Sequence, residues 1–250
     1  MQRLTVLVTG PGGRIGPHLL PTFRERFDVR LLDRQPIPNE PETIIADLSD
    51  REILRQAMEG ADVLVHLAAT SDEAPFLDEL VPNNVVGLYN TFEAAREAGV
   101  RRIVFASTVQ TVAYYPHETT IEVTDPVRPI TLYGVTKVLG EVLGRWYYDR
   151  HGIEFVGVRI GHFLNYDHPI LLDPERSWSR DIWLSPRDAA GILSACIEKP
   201  GLTYHLIFAT SVSGRERLSR KPLREVLGYE PVDNVRTLFP HLYPDPVADP

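Results

Sequence analysis

Short apolar runs alternate along the chain with stretches of helical period. "LTVLV" (4–8), "VRLLD" (29–33), "TIIA" (43–46), "DVLVHLA" (62–68), "RIVFAS" (102–107), "EFVGVRI" (154–160) and "TYHLIFA" (203–209) read as strands, rich in β-branched residues and nearly continuous in apolar character. Between them, 14–27, 49–60, 75–98 and 132–151 repeat apolar positions at helical spacing. Pro21 is expected to kink the first of these helices, and Pro82 to interrupt the third before it ends at Gly99. Ser49 with Glu52 forms a capping-box pattern, and Gly60 and Gly152 supply stops. Strands buried on both faces, alternating with amphipathic helices, predict an α/β fold with a doubly wound parallel sheet of the Rossmann type.

Beyond about residue 165 the pattern loosens. "SPRD" (185–188) opens a helix with Ser185 as N-cap and Pro186 at the first helical position, and a further helix is expected near 217–227. The 250 residues are read as a single domain. Residues 1–165 form a dinucleotide-binding core, 166–240 the substrate-binding elements and lid, and 241–250 a Pro-rich tail. A net charge of −8 disfavours nucleic acid and anionic membranes as partners and leaves a small molecule. The lone cysteine, Cys196, fits a reducing cytoplasm, and neither a leader pattern nor an apolar run of membrane-spanning length is visible.

Two patterns carry chemistry. "TGPGGRIG" (9–16) follows the first strand and opens the first helix, with Gly10, Gly13 and Gly16 spaced by three. Such a loop lets the backbone approach a pyrophosphate while a helix N-terminus presents free N–H groups. Asp33 ends the second strand 20 residues past Gly13, where a carboxylate meets the adenosine ribose hydroxyls and disfavours a 2′-phosphate; NAD is therefore expected over NADP, with Arg34 beside it pulling the other way. Asp47, after the third strand, is placed to reach the adenine. The expected dinucleotide contacts are Gly10, Gly13, Arg14, Ile15, Gly16, Asp33, Asp47, Leu48, Leu67, Ala68, Ala69 and Ser107.

The second pattern is "LYGVTK" (132–137). Tyr133 and Lys137 share a helix face, and the chain holds ten tyrosines but three lysines. By chance about 0.1 such pairs would occur. A nearby ammonium and a nicotinamide charge should pull a phenol with a pKa of roughly 10 towards phenolate, which then takes a hydroxyl proton as hydride leaves. Thr108, just after the fifth strand, is the expected hydroxyl partner, with Ser107 on the nicotinamide side.

Together "TGPGGRIG", "HLAA" (66–69), "NVVGLYN" (84–90), "VFAST" and "YGVTK" resemble the extended short-chain dehydrogenase/reductase family, the NAD-dependent sugar epimerase/dehydratase group. The resemblance spans roughly residues 3–165 and is nearest to the bacterial uronate dehydrogenase subfamily, as are "YYP" and "LGYEPVDN" (227–234). It implies NAD-dependent oxidation of a hexuronate at its anomeric carbon to an aldarolactone. Tyr133 would be the base, Lys137 its helper, Thr108 the hydroxyl partner, Ser71 a substrate contact and Asn84 the brace of the neighbouring helix. The chain departs from that subfamily at Val109–Gln110, at His162 and over 166–184, all substrate-facing. Within 166–184, Arg176 or Arg180, with Gln110 and Ser71 as neutral donors, is expected to meet the substrate carboxylate, and His162 to contact the substrate. No His/Cys/acid set accompanies His162 and His168, so no metal is expected. A homo-oligomer is expected. Two other readings stay open: a nucleotide-sugar epimerase or dehydratase with tightly held NAD, and a non-catalytic dinucleotide sensor.

Overall fold

A computed structural model describes residues 3–243; residues 244–250, most of the Pro-rich tail, lie outside them. In chain order the elements are β1 (Thr5–Thr9), α1 (Gly16–Arg26), β2 (Asp28–Asp33), β3 (Ile44–Ile45), α2 (Arg51–Met58), β4 (Val63–His66), a wide π-type helix (Phe76–Gly87), α3 (Leu88–Glu97), β5 (Arg102–Thr108), α4 (Leu132–His151) and β6 (Glu154–Ile160). There follow β7 (His162–Phe163), α5 (Pro169–Leu172), α6 (Ser177–Asp181), β8 (Trp183–Leu184), α7 (Pro186–Glu198), β9 (Tyr204–Ala209) and α8 (Val235–Leu238). Seven strands form one parallel sheet in the order β3-β2-β1-β4-β5-β6-β9. The chain reverses its direction of travel between β1 and β4, so a crevice opens there at the C-terminal edge, the place where such sheets take ligands.

Both faces of the sheet are apolar. Val6, Val8, Val65, Val104, Val156 and Val158 pack with Leu19, Phe23, Ile192 and Leu193 of α1 and α7 on one side. Leu7, Leu64, Ile103, Phe105 and Phe155 pack with Leu54, Phe92 and Tyr147 of α2–α4 on the other. The period of two sends alternate side chains to opposite layers, and each fully buried aliphatic contributes roughly 1.5–3 kcal/mol. Helix α4 lies unusually tight on the sheet: a Cβ on Gly140 or Gly144 would fall 2.4 Å from Phe105 or 2.1 Å from Phe155. That approach sets the depth of the helix carrying Tyr133 and Lys137.

Several local expectations change. Asp50 rather than Ser49 caps α2, accepting from the Ile53 N–H at 3.1 Å, while Glu52 pairs with Arg55. Helix α1 runs on through Pro21. The chain also stays helical through Pro82, by widening. A wide turn carries an extra residue per hydrogen bond, and Asn84 within it is buried. The helix expected near 217–227 is confined to 221–227, where Leu223–Leu227 forms a wide turn. Residues 217–219 instead pair with Ile121, through Ile121 N–H to Arg217 O at 2.8 Å and Ser219 N–H to Ile121 O at 3.0 Å. The division at residue 165 also does not separate two structural layers, because α7 and β9 complete the sheet and its covering. Buried Asp188 on α7 then fastens the later chain, accepting from Ser211, Tyr229, Val232 and Asp233.

Candidate active site

The C-terminal ends of β1, β2, β4, β5 and β6 open onto two adjoining cavities that share Gly10, Gly13, Leu67 and Ala69. One, of about 420 Å³, is lined by Gly12, Asp33, Arg34, Asp47, Leu48 and Ala68 among others. The other, of about 720 Å³, is lined by Arg14, Ile15, Gly16, Ser71, Ser107, Thr108, Gln110, Tyr133, Lys137 and His162 among others.

The glycine loop is shaped for close approach. Gly10 sits at φ 72°, and a Cβ there would lie 2.5 Å from the Ala68 backbone; one on Gly16 would lie 2.0 Å from the Pro11 carbonyl. The Arg14 and Ile15 N–H groups, at the start of α1, have no protein acceptor among the described residues, leaving donors for an anion. Asp33 is held at the loop by the N–H groups of Gly12 (2.9 Å) and Gln35 (3.2 Å). Asp47 accepts from the Ser49 N–H at 2.9 Å, and hydrogen bonds from Ser49 hold its carboxyl below the usual range. The loop, the free donors and the acid at the end of β2 fit a dinucleotide whose adenosine occupies the smaller cavity.

In the larger cavity, the Thr131 side chain caps α4 by accepting from the Gly134 N–H at 2.9 Å. The next residues are thereby fixed: Tyr133 is half-buried and Lys137 fully buried. The Lys137 ammonium lies 5.6 Å from the centre of the Tyr133 ring and 4.8 Å from that of Phe105. Thr108 ends β5 and accepts from the Gln110 N–H at 3.3 Å. Gln110 Oε1 accepts from the Thr131 hydroxyl at 2.6 Å, tying the loop after β5 to the cap of α4. The Ser107 hydroxyl, by contrast, is turned to Glu141 at 2.6 Å. Asn84 braces the site from behind: it accepts from the Thr70 N–H at 2.8 Å and donates to the Thr70 carbonyl and to Thr136 on α4.

The electrostatics differ from the expectation in one respect. Burial, and then the Asp72 carboxylate, raise Tyr133 above the ordinary phenol range, with Arg14 opposing weakly. Burial pulls Lys137 down to about 7. Among the protein's own groups desolvation therefore dominates the phenol. His66, beneath the site, is pulled down to about 3 by burial and then by Lys137, and its Nδ1 lies 2.8 Å from the Thr9 hydroxyl.

The arginines singled out in 166–184 do not reach the cavity. Arg176 is exposed and pairs with Asp173 at 3.4 Å. Arg180 is buried and does not line the cavity; its Nη1 donates to the Leu171 and Asp173 carbonyls, at 3.0 and 2.7 Å, and its Nε to the Tyr243 hydroxyl. Both close the turn around α5. Ser71 lines the cavity, with its hydroxyl 3.0 Å from Arg14. His162 lines it too, bonded through Nδ1 to Ser179 at 2.8 Å and stacked on Trp178 at 5.9 Å. Trp178, His117 and Arg217 also form its walls. Sequence reading passed over all three, since they come from separate segments with no shared spacing. Among the described residues no three His, Cys, Asp or Glu side chains gather as metal ligands.

The NAD dependent epimerase/dehydratase family model matches residues 6–169, well over half the chain. The chain belongs to that family. The NAD-dependent glucose-6-phosphate dehydrogenase of Haloferax volcanii is 36% identical over 92% of this chain and 93% of its own. The L-arabinose 1-dehydrogenase (NAD(P)(+)) of the same organism is 33% identical over 93% and 98%. Among solved structures, a mutant of uronate dehydrogenase from Agrobacterium tumefaciens, complexed with NAD, superposes with a TM-score of 0.84 at 32% identity, covering 99% of this chain and 92% of that one. The protein is thus an enzyme of the NAD-dependent epimerase/dehydratase family with a Rossmann fold, and its cofactor is NAD.

Proposed function

We propose that this enzyme is a sugar dehydrogenase that oxidises the anomeric hydroxyl of a hexuronate to the aldarolactone. The observation that carries the reading is the convergence of Tyr133, Lys137 and Thr108 on the cavity adjoining the glycine loop. In the reaction, Tyr133 takes the proton of the sugar hydroxyl while Thr108 hydrogen-bonds the same oxygen, and the C–O bond becomes a carbonyl. NAD, when bound, accepts the hydride released from that carbon. Lys137 supplies the positive charge that favours the phenolate, against the upward pull of burial and Asp72 on Tyr133. The loop after β5, locked to Thr131 through Gln110, fixes the distance between the proton acceptor and the hydroxyl partner.

The likeness to uronate dehydrogenase supports the hexuronate. A phosphorylated aldose is the second reading, favoured by the 36% identical relative named for glucose 6-phosphate. Residues 166–240 would supply much of the sugar-facing wall, through Trp178, Ile182, Arg217 and Leu218. The test is NADH formation with glucuronate, galacturonate, glucose 6-phosphate, glucose, galactose and arabinose, with the product identified by mass spectrometry. A lactone from a uronate is the expected result; tightly retained NAD with no net turnover would overturn it in favour of an epimerase.

The reading extends to a cytoplasmic homo-oligomer. The single cysteine, Cys196, is buried and unpaired, and no helix among the described residues is long and apolar enough to cross a membrane. Val135, Leu139, Val142 and Trp146 form an exposed apolar stripe on α4, and Tyr89 on α3 and Val86 just before it are exposed too. A stripe of this kind suits a self-complementary two-fold interface. Light scattering tests it: Val142→Glu should convert a dimer to monomer.

A further inference from the structure

Arg217 is 6% exposed and lines the larger cavity, yet no carboxylate lies within 4 Å of its guanidinium among the described residues. A buried cation is ordinarily paired, because removing it from water is costly. Here the anchoring groups are neutral. Nη1 donates to the Pro116 carbonyl and to His117 Nδ1, both at 3.1 Å, and Nη2 donates to the Tyr115 carbonyl at 2.8 Å. Asp181 and Glu118 act on it only at longer range, against Arg215, and burial outweighs them all in holding the group below its ordinary range. All three bonds are made by the two Nη groups; the edge of Nε–H and Nη2 has, beyond the one Nη2 bond to the Tyr115 carbonyl, no protein acceptor among the described residues. That edge is the side-on fork that matches two oxygens of a carboxylate or phosphate.

His117 extends the donor set. Arginine only donates, so His117 Nδ1 is the acceptor of this bond, which leaves Nε2 to donate. His117 lines the same cavity. Its ring lies 6.5 Å from that of Trp178, which stacks in turn on His162, so the charged fork is continuous with an aromatic wall suited to a sugar face. The fork is also held rigidly. The Ile121 N–H holds the Arg217 carbonyl, and the partners Tyr115–His117 belong to the same loop after β5 that carries Gln110. Little side-chain entropy remains to be lost on binding.

We propose that Arg217, with His117 beside it, is the specificity-determining anion reader of this enzyme, receiving a carboxylate or phosphate carried by the sugar. The assignment rests on the dehydrogenase reading above and gives to the 217–219 segment the role expected of Arg176 or Arg180.

The experiment compares kcat/KM for galacturonate against galactose, and glucose 6-phosphate against glucose, in the wild type, Arg217→Met and Arg217→Lys. The wild type should prefer at least one anionic sugar by more than tenfold; which pair shows the preference separates carboxylate from phosphate. In Arg217→Met that ratio should fall towards one, and Arg217→Lys, with charge but no fork, should lie between. A ratio within one variant is insensitive to the fraction folded. If Arg217→Met does not fold, the wild-type ratio and competition by inorganic phosphate against the sugar, but not against NAD, still decide. Neutral sugars equal to or better than their anionic partners in the wild type, or an unchanged ratio in folded Arg217→Met, overturn the proposal. If no sugar is oxidised at all, the dehydrogenase reading fails instead. The anion site is then read separately by the thermal shift that inorganic phosphate gives to the wild type and should not give to Arg217→Met; no such shift in the wild type overturns it.

Discussion

The ammonium of Lys137 donates to the carbonyl of Ala106 at 2.8 Å, joining α4 to the end of β5 inside the protein. The bond holds the charge 5.6 Å from the centre of the Tyr133 ring, but burial there pulls the lysine down to about 7 from its ordinary 10.5. The sign follows from linkage. Between those values the unfolded chain binds a proton that the folded protein has shed, so folding is favoured as pH rises through the window, by up to about 1.4 kcal/mol per unit. Lys137→Met removes this dependence. Its thermal stability relative to the wild type should be highest at and below about pH 7 and should decline towards pH 10.5, while sugar oxidation falls at least about a hundredfold. A melting-temperature difference that does not change with pH would contradict the buried, depressed lysine.

Tyr133→Phe should lower kcat by at least about a hundredfold, the usual worth of a positioned proton acceptor, while NAD binding is kept. Near-normal turnover in the phenylalanine variant, measured beside NADH fluorescence titration, would remove Tyr133 from the chemistry.

Asp33 orders the glycine loop through the Gly12 N–H and lines the smaller cavity beside Arg34. A carboxylate there accepts from ribose hydroxyls and repels a 2′-phosphate. Asp33→Ser should therefore lower kcat/KM for NAD by at least about tenfold and shift the NAD/NADP ratio towards NADP. Wild-type preference for NADP would transfer control of the pocket to Arg34.

Where local rules settle an element, it was legible in the sequence. Gly152 closes α4 after His151, and Ser185 with Pro186 opens α7, because caps and stops are short-range chemistry. The glycine loop and the Tyr–Lys pair were readable for the same reason: their geometry is contained in a few consecutive residues. Of the helix expected near 217–227, residues 221–227 are helical, but 217–219 are extended, because their pairing involves Ile121, almost a hundred positions away. Arg180 looked available until its donors met the carbonyls of Leu171 and Asp173, a closure fixed only by the fold. The wall of His117, Trp178 and Arg217 draws on three distant segments, and no periodicity records that meeting.

Beneath Ser107 lies a buried ion pair that the strand pattern conceals, since Arg159 occupies an apolar run. Arg159 binds Glu141 through two bonds of 2.9 Å, both residues are at most 2% exposed, and Glu141 also accepts the Ser107 hydroxyl at 2.6 Å. The pair links β6 and α4 directly under the end of β5. Breaking such a pair leaves an uncompensated buried charge, whereas replacing both members with apolar side chains is often neutral. Arg159→Met should therefore cost about 3–5 kcal/mol in urea unfolding, and Glu141→Leu with Arg159→Met together should restore most of it. Ser107 loses its acceptor in the double variant, so kcat should remain below wild type even where stability returns. A single-variant loss below about 1 kcal/mol, or a double variant no more stable than the single, would show that the two charges are not the coupled buried pair that positions this edge of the site.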